Sequence, residues 1–165
     1  MNIPIARLRA WMTRAVEVST RHVQAGGLPF VAVLVTDEGP VSDHGVNLVR
    51  ETGDPTAHAE IVAMRQALAD GGTSLRGTVL LATGEPCALC YRFADGHGVD
   101  AVHFAVGRDS AAAWGFDYRA GYEALGIDGL PVTQAAQHLP VERGLEPFMR
   151  YAQLHSLSPA PVAID

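Results

Sequence analysis

Lysine is absent from this 165-residue sequence, so its 12 basic side chains other than histidine are all arginines, against 18 aspartates and glutamates. The formal charge of −6 argues against a broad basic surface of the kind that holds a nucleic-acid backbone. Long apolar runs are also absent. No segment approaches the ~20 apolar residues of a membrane-spanning helix, and none near the N-terminus is typical of a signal peptide. We therefore expect a cytoplasmic protein with no membrane partner, and the charge disfavours nucleic acid as a partner.

Cysteine is scarce as well, because only Cys87 and Cys90 are present and both belong to one CxxC motif. In a reducing compartment cysteines stay unpaired, and such a motif favours metal binding or redox chemistry over a structural disulfide. The length fits a single folded domain, which we place at residues 1–155, with residues 156–165 as a loose C-terminal tail.

The hydrophobic pattern alternates between strand and helix along the chain. The predicted helices cover residues 5–24, 57–70, 87–95, 119–125 and 142–155, and the predicted strands cover 30–37, 41–49, 77–83 and 101–106. This alternation predicts an α/β fold, a three-layer α-β-α sandwich with helices on both faces of a sheet. The short turn at 37–40 makes the first two strands antiparallel, so we expect a mixed sheet.

Two short motifs stand at predicted strand-to-helix junctions. The segment DPTAHAE (54–60) places His58 and Glu60 at one helix start, and EPCALC (85–90) places both cysteines at another, where the helix N-terminus favours thiolates. A catalytic zinc ion needs three protein ligands and an open water position, and His58 with two thiolates would supply the ligands. The carboxylate of Glu60 could then take a proton from zinc-activated water and pass it to a leaving group.

Each motif also has a simpler interpretation. A lone His-x-Glu at a helix start is most often a capping or surface pair, and a lone CxxC can be a redox pair or half of a structural zinc site. A structural site would want four protein ligands, and a redox pair has no use for His58 or Glu60. The two motifs together, H-x-E and then P-C-x-x-C, are the signature of zinc-dependent nucleobase deaminases. They favour catalytic zinc, with a non-catalytic, zinc-stabilised interaction module as the less favoured alternative.

Over residues 8–120 the sequence resembles the cytidine deaminase-like zinc superfamily, above all its guanine deaminases and tRNA adenosine deaminases. The resemblance is carried by PFVAV (29–33), by the two motifs above, and by Asn47, which stands 11 residues before His58. It implies a mixed five-stranded sheet, with Glu60 as the catalytic proton shuttle. It also implies a Zn²⁺ cofactor whose ligands are His58, Cys87 and Cys90.

The resemblance further implies how a base is held in the site. Asn47 would hydrogen-bond the base, and Phe30 would pack on its face. Backbone N–H groups of Ala59 and Cys87 would hold a ring carbonyl, with Pro86 as a neighbouring contact.

The C-terminal part of the chain favours the guanine deaminase branch. Within residues 111–125 the stretch GFDY resembles the GFDD region of guanine deaminases, but the family's second aspartate, a catalytic group, aligns with Tyr118. Asp117 would take that role only through a shift of the loop, so both residues are candidate substrate contacts. The segment HLPVERGLEPFMRYAQ (138–153) resembles the closing helix of guanine deaminases, which crosses to a partner subunit. This likeness implies a homodimer with a C-terminal swap.

The predicted activity is zinc-dependent hydrolytic deamination of a small molecule, a free nucleobase or related amino-azine. Guanine or a modified guanine is favoured, and cytosine and aminotriazines are alternative substrates. A tRNA-specific adenosine deaminase is the alternative function, which the acidic composition and the lack of an arginine cluster near the site motifs disfavour.

Overall fold

A computed structural model describes residues 3–69 and 71–159 of the chain. The strands are β1 (Val31–Val35), β2 (Gly45–Val46), β3 (Val79–Gly84), β4 (Ala101–Val106) and β5 (Ala136–His138). The helices are α1 (Ile5–Gln24), α2 (Val49–Thr52), α3 (Ala59–Leu68), α4 (Ala88–His97), α5 (Arg108–Ala113), α6 (Ala120–Ala124), α7 (Pro131–Gln134) and α8 (Glu146–Leu154). Residues 160–165, most of the predicted tail, lie outside the described residues, as does the last residue of the predicted helix 57–70.

The five strands form one mixed sheet in the order β2-β1-β3-β4-β5. Strand β1 runs antiparallel to both β2 and β3, whereas β3, β4 and β5 are parallel. Because β2 and β3 are each antiparallel to β1, they point in the same direction. The helices that follow them, α3 and α4, therefore begin at the same edge of the sheet.

Helices cover both faces of the sheet, which gives the predicted three layers. All five residues of β1 and all six of β3 are buried, as strands covered on both sides must be. Successive side chains point to opposite faces, so Leu34 and Leu80 pack under α3 and α4, whereas Val33 and Leu81 pack under α1. The predicted fold class is confirmed.

The predicted strand 41–49 is much shorter in the structure, where β2 is only Gly45–Val46. Gly45 lies so close to α3 that a Cβ atom there would collide with the carbonyl oxygen of Ala59. The edge of the sheet therefore reaches the start of α3 through a residue without a side chain. Strand β5 and helices α2, α5 and α7 were not predicted, because three- to six-residue elements are too short to show a hydrophobic period.

The last helix, α8, packs against α1 of the same chain. Its Phe148 is fully buried and its ring lies edge-on to Phe30 and Phe116, 5.5 Å and 5.9 Å away between ring centroids. The aromatic residues therefore join the C-terminal helix to the start of β1. Within residues 3–69 and 71–159, no helix has the length and apolar character needed to cross a membrane.

Candidate active site

The two motifs meet where α3 and α4 begin. His58 is the N-cap residue of α3 and Cys87 is the N-cap residue of α4, and both have extended backbone conformations. Neither side chain caps its own helix with a hydrogen bond. The capping interpretation of His58 is therefore not supported, since its imidazole points to the cysteines instead.

His58, Cys87 and Cys90 form a compact triangle of ligand atoms, which we call the ligand cluster. The Nδ1 atom of His58 lies 3.3 Å from Sγ of Cys87 and 3.6 Å from Sγ of Cys90, and the two sulfur atoms are 3.6 Å apart. Tetrahedral zinc with Zn–S bonds of about 2.3 Å and Zn–N bonds of about 2.0–2.1 Å has ligand atoms about 3.6–3.8 Å apart. The side chains therefore fit a zinc ion after His58 and Cys87 move apart by about 0.3 Å, and within the described residues no fourth His, Cys, Asp or Glu joins the cluster.

The ionisation of the two thiols differs because of their surroundings. Hydrogen bonds with Cys90 and then His58 lower the pKa of Cys87 to about 4. The same contact with Cys87, together with burial, raises the pKa of Cys90 well above its ordinary value. A cysteine at a helix N-terminus is a favourable thiolate position, so the surroundings of Cys87 favour its anionic form, the form that binds metal.

Glu60 lies on the first turn of α3 and points into the same space. Its side chain is buried, and Oε2 lies 3.5 Å from Sγ of Cys90. Burial, followed by the charge of Cys87, raises the pKa of Glu60 to about 7. A carboxyl group with a pKa near neutrality can both accept and return a proton.

A cavity of about 120 Å³ opens in front of the ligand cluster, and we call it the site cavity. Its lining residues are Leu28, Phe30, Asn47, His58, Glu60, Glu85, Cys87 and Tyr118. The structure therefore brings three of the predicted substrate contacts, Phe30, Asn47 and Tyr118, to one cavity with Glu60. Ala59 and Pro86 are buried beside it but do not line it.

The side chain of Asn47 is oriented by the backbone two residues further along the chain. Its Oδ1 accepts a hydrogen bond of 3.2 Å from the backbone N–H of Val49. Its NH₂ group makes no hydrogen bond to residues 3–69 or 71–159, so it is available as a donor at the cavity wall.

The two candidates in the GFDY stretch lie in different places. Asp117 is exposed and binds Arg119 through both carboxylate oxygens, which, with the backbone N–H of Arg119, lowers the pKa of Asp117 to about 2. Tyr118 instead lines the site cavity, and its hydroxyl donates a 2.6 Å hydrogen bond to the carbonyl of Glu85. The structure thus places a phenol, and no second free carboxylate, on this wall.

Glu85 also lines the cavity, and its position next to the PCxxC motif indicates a residue that caps or orients that loop. Its buried carboxylate is paired with Arg108, 2.6 Å away. The sequence indicates that Glu85 lies near the site, because it directly precedes Pro86 and Cys87. The sequence does not indicate its partner, because Arg108 follows β4 and reaches Glu85 only through the parallel pairing of Gly84 with Val106.

The sequence and the structure of this chain are both similar to those of known deaminases. Residues 6–106 match the family model of the cytidine and deoxycytidylate deaminase zinc-binding region. The guanine deaminase of Bacillus subtilis is 33% identical over 143 residues, which are 86% of this chain and 91% of that protein. The X-ray structure of guanine deaminase from Bacillus subtilis superposes with a TM-score of 0.66 and 29% identity, covering 94% of this chain and 98% of that chain.

A tRNA-specific adenosine deaminase from Haemophilus influenzae is 38% identical, but over only 80 residues, 48% of this chain and 46% of that protein. The matched region 6–106 contains the whole ligand cluster, which confirms the prediction of zinc as the cofactor. The chain belongs to the cytidine and deoxycytidylate deaminase family, whose zinc-binding region it carries at residues 6–106.

Proposed function

We propose that the protein is a zinc-dependent aminohydrolase that releases ammonia from a free nucleobase or a related amino-azine, with guanine or a modified guanine favoured. One observation carries this proposal: a three-ligand zinc cluster stands beside the buried carboxylate of Glu60 in a cavity lined by aromatic rings. The relationship to a guanine deaminase over most of both chains supports the same class of substrate.

The residues of the site have different roles in the proposed reaction. His58, Cys87 and Cys90 would hold the metal, which when bound supplies a Lewis acid that makes water nucleophilic at neutral pH. Glu60 accepts a proton from the attacking water and delivers it to the ring nitrogen next to the amine-bearing carbon. Glu60 then helps to protonate the departing amine. A C–O bond forms, the C–N bond breaks and ammonia leaves, so the net reaction consumes one water molecule.

The cavity walls favour a small planar ring. Phe30 offers an aromatic surface, and the free NH₂ group of Asn47 can donate to a ring acceptor. No arginine is among the eight lining residues. A free base therefore finds shape and hydrogen-bond partners there, whereas a nucleotide phosphate finds no basic side chain.

A panel assay tests this function directly. Zinc-loaded protein is incubated with guanine, oxidised guanine, cytosine, aminotriazines, adenine and their nucleosides, and ammonia release is measured. We expect turnover of guanine or a modified guanine, and none by Cys87→Ala, which lacks one metal ligand and should lose zinc by atomic absorption. Whole tRNA is assayed in parallel: deamination of adenosine in tRNA, with no turnover of the bases and nucleosides and with a salt-dependent gel shift, would establish the tRNA enzyme instead. One zinc ion per chain without turnover of any substrate would instead support the non-catalytic, zinc-stabilised interaction module.

We also propose that the protein assembles with a second copy of itself. Leu145 and Met149 at the start of α8 are 42% and 43% exposed and form an apolar surface in the monomer. Light scattering should give a mass of about 35 kDa, twice the 17.5 kDa of one chain, and Met149→Glu should lower it. A concentration-independent mass of one chain would contradict the dimer.

A further inference from the structure

The loop of Glu85, Pro86 and Cys87 connects β3 to α4 and carries one ligand of the cluster. Two tyrosine hydroxyls hold its backbone: Tyr118 donates to the carbonyl of Glu85 and Tyr122 donates to the carbonyl of Pro86, each at 2.6 Å. These are the two carbonyls directly before Cys87. Tyr118 and Tyr122, the tyrosine pair, therefore satisfy loop acceptors outside the strand and helix hydrogen-bond ladders.

The side chain of Glu85 fixes the same loop from the other direction. Its Oε2 accepts a 2.7 Å hydrogen bond from the backbone N–H of Arg108, and its Oε1 accepts from Nε and Nη2 of Arg108 at 2.9 Å and 2.6 Å. The backbone N–H of Glu85 donates to the carbonyl of Val106 at 2.8 Å. The guanidinium of Arg108 also lies 3.8 Å above the ring of Tyr122, so the ion pair and the tyrosine pair form one connected network.

The network accounts for both oxygens of Glu85, the second carboxylate in the site cavity. Both of its oxygens accept hydrogen bonds from Arg108, so it is committed to the loop. Glu60 has no arginine partner within the described ranges, which leaves it as the free carboxylate of the cavity. Glu85 therefore positions the loop and does not shuttle protons.

One metal ligand lies inside a helix, and the other two stand at helix starts. Cys90 lies inside α4 and is fully buried. His58 starts α3, and its carbonyl accepts the N–H of Val62 in the first helical turn. Cys87 likewise starts α4, where its carbonyl accepts the N–H of Tyr91, and like His58 it is only partly buried. On its N-terminal side its position depends on the preceding loop.

We propose that Tyr118 and Tyr122, acting with the Glu85–Arg108 pair, are positioning residues that hold Cys87 where zinc requires it. The inference rests on the proposed function for the role of zinc, but it concerns retention and geometry of the metal. Residues that orient metal ligands from outside typically contribute 10–100-fold to metal affinity or activity. Tyr118 has a second role, because its ring also lines the site cavity.

The two tyrosines allow this role to be separated from substrate binding. Tyr122 does not line the cavity, so Tyr122→Phe removes one loop hydrogen bond without touching the substrate. Tyr118→Phe removes the other hydrogen bond and keeps the ring in the wall. Tyr151→Phe is the matched control, since the hydroxyl of Tyr151 makes no hydrogen bond within residues 3–69 and 71–159 and lies away from the cavity.

The experiment measures zinc release from the full-length, zinc-loaded protein to a colorimetric chelator, together with the visible spectrum of the Co²⁺-substituted protein. We expect Tyr118→Phe and Tyr122→Phe each to speed release about 10-fold and to shift the Co²⁺ bands, while Tyr151→Phe matches the wild type. Release rates and spectra unchanged in both variants would overturn the inference.

A further variant protects the test against misfolding. Arg108→Lys keeps the positive charge but loses the two-nitrogen grip on Glu85, and it should speed release in the same direction. If the tyrosine variants do not fold, the Arg108→Lys variant decides the test. A zinc-release rate equal to that of the wild-type protein would then overturn the inference. Absence of ammonia release by the wild-type enzyme would contradict the proposed function, whereas the zinc measurements would still decide this inference.

Discussion

Replacing Glu60 by glutamine separates metal binding from catalysis. The glutamine side chain has the same shape, so it fits the buried space that Glu60 occupies 3.5 Å from Cys90. It cannot accept a proton, and Glu85, the other carboxylate of the cavity, is already bound to Arg108. No neighbouring group therefore takes over the proton transfer.

The size of the effect follows from the role of Glu60. Loss of one general acid–base group typically costs about 10²–10⁴-fold in rate, equivalent to about 3–5 kcal/mol of transition-state stabilisation. Because the role proposed for Glu60 covers three proton transfers, at the attacking water, the ring nitrogen and the leaving amine, we expect kcat to fall by about 10⁴-fold. Zinc should stay, since the ligand cluster is His58, Cys87 and Cys90.

The assay is ammonia release at saturating substrate, with zinc content measured on the same samples. Glu38→Gln is the matched control, because Glu38 is an exposed glutamate in the turn after β1. Its kcat should equal that of the wild type. A Glu60→Gln protein that holds one zinc per chain and keeps kcat within 10-fold of the wild type would refute the assignment.

Three further changes test other parts of the structure. Asp117→Asn should leave kcat and KM unchanged, because this carboxylate forms a solvent-facing ion pair outside the site cavity; a 100-fold loss of kcat would show that the loop moves into the site. Phe148→Ala should lower the free energy of unfolding, measured with urea, by about 3–5 kcal/mol, because its ring is fully buried; a loss below 1 kcal/mol would contradict tight packing of α8. Hydrogen bonds from Thr56 and Arg65 lower the pKa of Asp54 to about 2, so its stabilising contribution is present above its unfolded pKa near 4 and disappears as the pH falls through 2. Asp54→Asn should therefore lower the urea midpoint more at pH 7 than at pH 2, and an equal difference at both pH values would argue against the ion pair.

The ligand cluster was predictable because His58 and Cys87 stand at helix starts and Cys90 follows in the first turn of α4. A histidine and a CxxC motif at two strand-to-helix junctions converge whenever the two strands point the same way, and the order of strands in this sheet meets that condition. The long helix α1 and the buried strands β1, β3 and β4 were also predictable, since each shows a clear hydrophobic pattern.

The cavity walls were less predictable, because they depend on contacts between distant segments. Whether Asp117 or Tyr118 faces the cavity is decided by one peptide's orientation in an irregular loop, where no hydrophobic period applies. The pairing of Glu85 with Arg108 requires the register of β3 against β4. Strand β5, with exposed Gln137 and His138, shows no alternation that would reveal it.

Because β1 lies between β2 and β3 in the sheet, a metal ion at the ligand cluster would connect two parts of the fold that are separated by one strand. A zinc ion at the ligand cluster ties His58 to Cys87, 29 residues further along, and so cross-links two helices that the sheet holds apart by one strand. Such a cross-link would stabilise the folded arrangement of the two helices, because the binding free energy of the metal is available only in the folded state. Metal that binds the folded chain alone, at 1,000 times its dissociation constant, adds about 4 kcal/mol to stability. The melting temperature would then rise with the concentration of free zinc, and removal of the metal would loosen the α3–α4 end of the molecule.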